Sequence, residues 1–190
     1  MQVGEIFSKI ANHMLDGMMT HEELANYYDF LNLKGYKRCH EYHFMDELLN
    51  YRMLSRYYIN HYNQLIPDLI AKQPEVIPND WYSHNRQDVD PSTIRAYTEK
   101  AFTMWVEWEK QTKSLYEECY SQLLSIDEIA AADIVLKLIK DVDKELKKAE
   151  RHMLHLNAIN YDIVAIMDIQ EEKHKYYKDK MKKGFKIDIC

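Results

Sequence analysis

Apolar residues recur at helical spacing over most of this 190-residue chain. From about Val3 to Leu31, the residues Ile6, Ile10, Met14, Gly17, His21, Leu24, Tyr28 and Leu31 fall on one stripe, which predicts a long amphipathic helix. Asn32-Leu33-Lys34-Gly35 closes it, with Gly35 suited to a left-handed C-terminal position. A second helix is predicted over about 36–66, with Phe44, Leu48, Tyr51, Tyr58, Tyr62 and Leu65 inward. A third, over about 91–124, carries Ile94, Tyr97, Ala101, Met104, Trp108, Leu115 and Cys119. Ser125 followed by Glu128 reads as a capping box opening a fourth helix over about 126–157, with Val135, Leu138, Val142, Leu146, Ala149, Met153 and Leu156 inward. An Asn-Ala-Ile-Asn-Tyr-Asp turn leads to a shorter helix over about 162–183.

The breakers sharpen this picture. Only 4 Gly and 4 Pro occur, too few for the many turns of a β-rich fold. All four prolines (Pro67, Pro74, Pro78, Pro91) lie in one segment, so 67–90 reads as one irregular crossover, with Trp81-Tyr82 placed to pin it. The expectation is an all-α, single-domain protein spanning 1–190: four long helices, one crossover and a short basic C-terminal helix. Two hairpins of roughly 45 Å helices joined by one long crossover resemble the ferritin-like superfamily over nearly the whole chain. The resemblance implies a dimetal site built from a Glu on each of two helices and a Glu-x-x-His pair on each of the other two.

Those pairs are missing where the resemblance needs them. Glu47 is followed three residues on by Asn50, Glu145 by Lys148 and Glu150 by Met153. The one Glu-x-x-His, Glu171 with His174, falls in the terminal helix. A different set of donors lines the helices. Glu109 shares an inward face with Trp105, Thr112 and Tyr116; Asp141, Glu145 and His152 flank the fourth helix; His40, His43 and Glu47 share a side of the second; and the first offers His13, His21 and Glu22. From these, Glu22, His43, Glu47, Glu109, Glu145 and His152 form the candidate metal set, and imidazole with carboxylate suits iron or manganese. Nearby lysines, including Lys144, Lys147 and Lys148, explain several of the acids as ion pairs instead.

Charge and composition narrow the rest. A net charge of −6 argues against a whole-molecule grip on nucleic acid, and only the Lys173–Lys186 stretch is basic enough to touch it. Cys39, Cys119 and Cys190 have no metal-ligand spacing and read as reduced thiols. No apolar run approaches the ~18 residues of a membrane span, and no secretory pattern opens the chain, so a cytoplasmic protein is expected. Gly-rich phosphate loops, Gly-x-Ser-x-Gly and Cys-x-x-Cys are absent. Two functional readings stand: a non-enzymatic helical module for protein–protein interaction or homo-oligomeric assembly, and a metal-binding oxidase or storage protein with a diverged His/Glu site. The 15 tyrosines and 10 methionines suit cores and interfaces, which favours a homo-oligomer or a protein partner.

Overall fold

The computed structural model describes residues 2–70 and 89–183, which form five α-helices and no strand. They are α1 (Val3–Phe30), α2 (Lys34–Tyr62), α3 (Pro91–Ser125), α4 (Ile129–Ala158) and α5 (Ile163–Lys182). Pro91 takes the first turn of α3, and the Asp90 carboxylate caps it by accepting from the Thr93 N–H at 2.7 Å. Asp162 caps α5 in the same way, accepting from Val164 and Ala165. No described helix is long and apolar enough to cross a membrane.

Short turns join α1 to α2 and α3 to α4, making two hairpins. Across the hairpins, Lys9 meets Glu118, His13 meets Thr112 and Tyr27 meets Tyr97, so α1 and α3 are antiparallel. Tyr36 meets His152, His43 meets Glu145 and Tyr62 meets Glu128, so α2 and α4 are antiparallel too. It follows that α2 and α3 point the same way, and the chain between Tyr62 and Pro91 joins opposite ends of the bundle. Its beginning lies along α1: Ser8 donates to the Pro67 carbonyl, and Asn12 exchanges hydrogen bonds with Asp68 and Ile70. The expected pinning by Trp81 and Tyr82 concerns residues outside the described ones.

Three local expectations fail for physical reasons. Asn32, not Gly35, takes the left-handed turn after α1, with φ 59°. Gly35 belongs to the first turn of α2, where a Cβ would lie 1.7 Å from the Gln170 backbone oxygen, so its lack of a side chain serves helix packing. Helix α2 ends at Tyr62 because Asn63 turns left-handed (φ 53°) and returns its N–H to Ile59, which leaves Leu65 outside the helix and 78% exposed. The Ser125–Glu128 capping box does not form. Ser125 donates to the Gln122 carbonyl, and Glu128 accepts from the Tyr62 hydroxyl at 2.8 Å.

The apolar core is in two parts. One gathers Tyr28, Tyr36, Phe102, Trp105, Ile166 and Tyr177; the other gathers Ile6, Phe7, Ile10, Met14, Leu54, Cys119 and Val135. Between them, at mid-height on all four long helices, lies a polar layer that includes His21, His40, His43, Glu109 and Thr112, all buried. Buried polar groups are expensive without partners. This layer is where the bundle spends stability.

Candidate metal centre

Helix α2 supplies the layer through His40, His43, Glu47 and Asn50, a three–four–three spacing on one face. Helix α3 supplies Trp105, Glu109, Thr112 and Tyr116, all buried, at the same kind of spacing. Together with His21 of α1 and Asp141 and Glu145 of α4, these helices enclose a cavity of about 40 Å³. His21, His43, Asp46, Glu47, Glu109 and Glu145 all line it. That volume holds one or two water-sized occupants.

The two central carboxyls are not equivalent. Glu109 Oε1 accepts a hydrogen bond from the Trp105 indole at 2.9 Å. Burial nonetheless pushes Glu109 up to about 7, and the neighbouring Glu145 charge adds to the effect. Glu47 is pushed further, to about 8, first by burial and then by the charge of Glu109. The Trp105 hydrogen bond favours the ionised form of Glu109, and that charge disfavours ionisation of Glu47. Glu47 Oε2 is shut off from solvent with no hydrogen-bond partner, and Oε1 packs against α1, 3.5 Å from where a Gly17 Cβ would be.

The imidazoles are neutral. Burial takes His21 down to about 3 and puts His40 and His43 well below their ordinary value. His21 Nδ1 and His40 Nδ1 lie 3.1 Å apart, so the two rings must hold opposite tautomers, one donating and one accepting. His43 Nε2 lies 3.6 Å from Glu145 Oε2, beyond a good hydrogen bond, and is unpartnered. A neutral imidazole with a free nitrogen is the form that ligates metals. Glu145 already has a cation: Lys148 Nζ lies 3.0 Å away. At the rim, Lys144 holds Asp141 at 2.7 Å.

Four of the six candidate residues, His43, Glu47, Glu109 and Glu145, line this cavity. Glu22 does not. Its side chain is exposed, because the turn of α1 that buries His21 rotates the next residue outward by about 100°. His152 does not either: it sits two turns beyond Glu145, packed on Tyr36 and Phe102 in a separate chamber. His21 and Asp141, named among the donors but left out of the candidate set, also line the cavity, as do Asp46 and Asn50, which the sequence reading passed over. His21 lay on the predicted inward stripe, which was the available signal. In the terminal helix, His174 accepts from Arg38 at 3.2 Å while Glu171 is exposed, so that Glu-x-x-His is not a ligand pair. His13 bonds to Thr112 at 2.7 Å and stacks on Trp108.

These donors do not fit a dimetal centre. Helix α1 lines the cavity with His21 and no carboxylate, and Lys148 occupies the position three residues after Glu145 where a second imidazole would stand. Among the described residues, no group of three or more His, Cys, Asp or Glu side chains is drawn together tightly enough to hold a metal as it stands. Glu47 Oε2 and His43 Nε2 are nonetheless both unpartnered and, with Glu109, border the same cavity.

No protein-family model and no curated protein matches the chain. Solved structures do. An open-pore ferritin from the archaeon Archaeoglobus fulgidus is similar at a TM-score of 0.75 and 16% identity, covering 90% of this chain and 95% of that one. A closed form of that ferritin, engineered by site-directed mutagenesis, gives 0.74 and 16% over 90% and 94%. A humanized archaeal ferritin gives 0.75 and 15%, also over 90% and 94%. The chain therefore has the ferritin-like four-helix-bundle fold.

Proposed function

We propose that this protein is a metal-binding member of the ferritin-like fold that takes one divalent cation, iron(II) or manganese(II), at Glu47, Glu109 and His43. The observation that carries the reading is the pair of crowded carboxyls with an orphaned Glu47 Oε2 and an orphaned His43 Nε2 around one cavity. Such a pair, buried without a cation, keeps a proton it would otherwise lose near pH 4.5. A divalent ion replaces that proton and meets both orphans. The fold shared with ferritins favours this reading over the metal-free assembly module.

The chain's own residues have distinct tasks in it. Trp105 aims Glu109 through its indole N–H. The His21–His40 bond sets the tautomer of the imidazole that stacks on His43. Asp46 and Asp141 line the cavity as further carboxylates from α2 and α4 and attract cations. Lys148 neutralises Glu145, which lowers the negative charge available and favours one ion over two. A bound iron(II) would supply one-electron redox chemistry. The site's donor chemistry, hard oxygens plus one nitrogen, also suits manganese(II).

Loss of the free Mn(II) electron-paramagnetic-resonance signal on titration measures this directly. One manganese per chain is expected, with binding abolished in Glu109→Gln. Two per chain would replace the single-ion reading with a dimetal one. No binding to a chain that stays folded in EDTA would leave the assembly module as the function. Self-association, expected from exposed Met19 and Tyr176 among others, is checked by light scattering during gel filtration.

A further inference from the structure

Helices α2, α3, α4 and α5 enclose a second, smaller chamber of about 10 Å³, room for a single occupant. Its wall carries Tyr36, Cys39, Lys148, His152, Lys173 and Tyr177, and no carboxylate. Tyr36 and Tyr177 are 2% and 0% exposed, and neither hydroxyl has a full hydrogen bond; His152 Nε2 is likewise unpartnered. The Tyr177 hydroxyl's one side-chain hydrogen-bond contact is the Cys39 thiol, a weak partner, and the charge of Glu145 also reaches it. Three unsatisfied polar groups around one small void call for an occupant.

The lining says which kind. Both phenols stay protonated, since burial raises each of them, and so each can donate. Cys39 also stays a thiol, because burial raises it. Lys148 brings a charge it shares with Glu145, and Lys173 has no ion-pair partner among the described residues. Donors and positive charge dominate, and the only side-chain acceptor beyond the hydroxyls themselves is a thiol or an imidazole nitrogen. We propose that the chamber binds one small anion of halide size, held by the Tyr36 and Tyr177 hydroxyls in the field of Lys148 and Lys173. This site is separate from the cation pocket and does not depend on the metal reading.

Crystals grown with bromide in place of chloride, measured at the bromine edge, test occupancy. A single anomalous peak among Tyr36, His152 and Tyr177 is expected. In solution, the thermal midpoint should climb with chloride when gluconate balances the ionic strength. In Lys173→Met, a partly exposed position where folding is not at stake, half-saturation should move at least tenfold higher. An ordered water with no bromide signal, together with a chloride-indifferent midpoint, overturns the proposal. Bromide density with an indifferent midpoint marks occupancy at crystal concentrations only, and overturns it as well.

Discussion

Replacing Glu47 by Gln separates the stability of the bundle from its chemistry. Glutamine keeps the side chain's shape but cannot ionise. In the folded protein Glu47 holds its proton until about pH 8, whereas an unfolded chain gives it up near 4.5. The folded state therefore binds more protons than the unfolded state across that window, and the metal-free protein loses stability as pH rises through it. Linkage puts the deficit at about 3 kcal/mol at pH 7 and under about 1 kcal/mol at pH 5. Relaxation and water entering the cavity reduce it, so Glu47→Gln should stabilise the metal-free protein by about 2–3 kcal/mol at pH 7. With a urea dependence near 2–3 kcal/mol/M for a chain of this size, the midpoint should rise by about 1 M. The assay is urea unfolding in EDTA at both pH values, repeated with manganese(II), which should stabilise the wild type and not the variant. A gain that is the same at pH 5 and pH 7, or a loss at pH 7, would refute the argument.

Other outcomes follow from the same geometry. Gly35→Ala drives a Cβ into the Gln170 backbone oxygen, so α2 and α5 must part; a loss of about 3 kcal/mol or more, with faster proteolysis in α5, is expected. Trp105→Phe removes the donor to Glu109, which should raise that carboxyl above about 7 and weaken manganese binding roughly tenfold, read by titration across pH. Metal-free stability should peak near pH 6–7. Below it, His13, His21 and His152, depressed to about 4, 3 and 3 by burial, withdraw their contribution as pH falls from 6.5; above it, Glu109 and Glu47 withdraw theirs as pH rises to about 8. Melting curves in EDTA from pH 4 to 9 check the shape.

The helical frame was legible because α1, α3 and α4 carry apolar stripes over most of their length; the predicted inward residues of α4 from Val135 to Ala149 are all buried. Confinement of the prolines exposed the crossover. Helix α2 misled for a physical reason: its inward face is Tyr36, His40, His43, Glu47, Asn50 and Leu54, and the hydrophobic pattern pointed instead to the flank at Phe44, Leu48 and Tyr51. Site and stripe compete for the same positions, so the functional helix looks least regular. Glu109 was legible from its aromatic neighbours on α3. Glu22 lies outside the cavity because the turn of α1 that buries His21 leaves it exposed. The Lys148–Glu145 ion pair was legible, since the two stand three residues apart on α4, but the chain alone could not reveal that His152 would belong to another chamber, which depends on how α5 packs against the bundle.

That packing bears on α2 itself. Its outer flank is clasped by α5: Gly35 donates to Gln170, Arg38 reaches His174, and Tyr42 lies between Tyr177 and the ammonium of Lys180, 4.4 Å from its ring. An antiparallel bundle helix ordinarily earns its place through the face it turns to its three neighbours. Here the middle of the inward face is loaded with histidine and carboxylate, and α5 adds contacts from behind to those α2 makes with α1. A helix anchored on its back is free to carry reactive groups on its front, and substitutions in the pocket can change without unseating the scaffold. The fifth helix thus works as a splint along the back of the helix that carries most of the central layer.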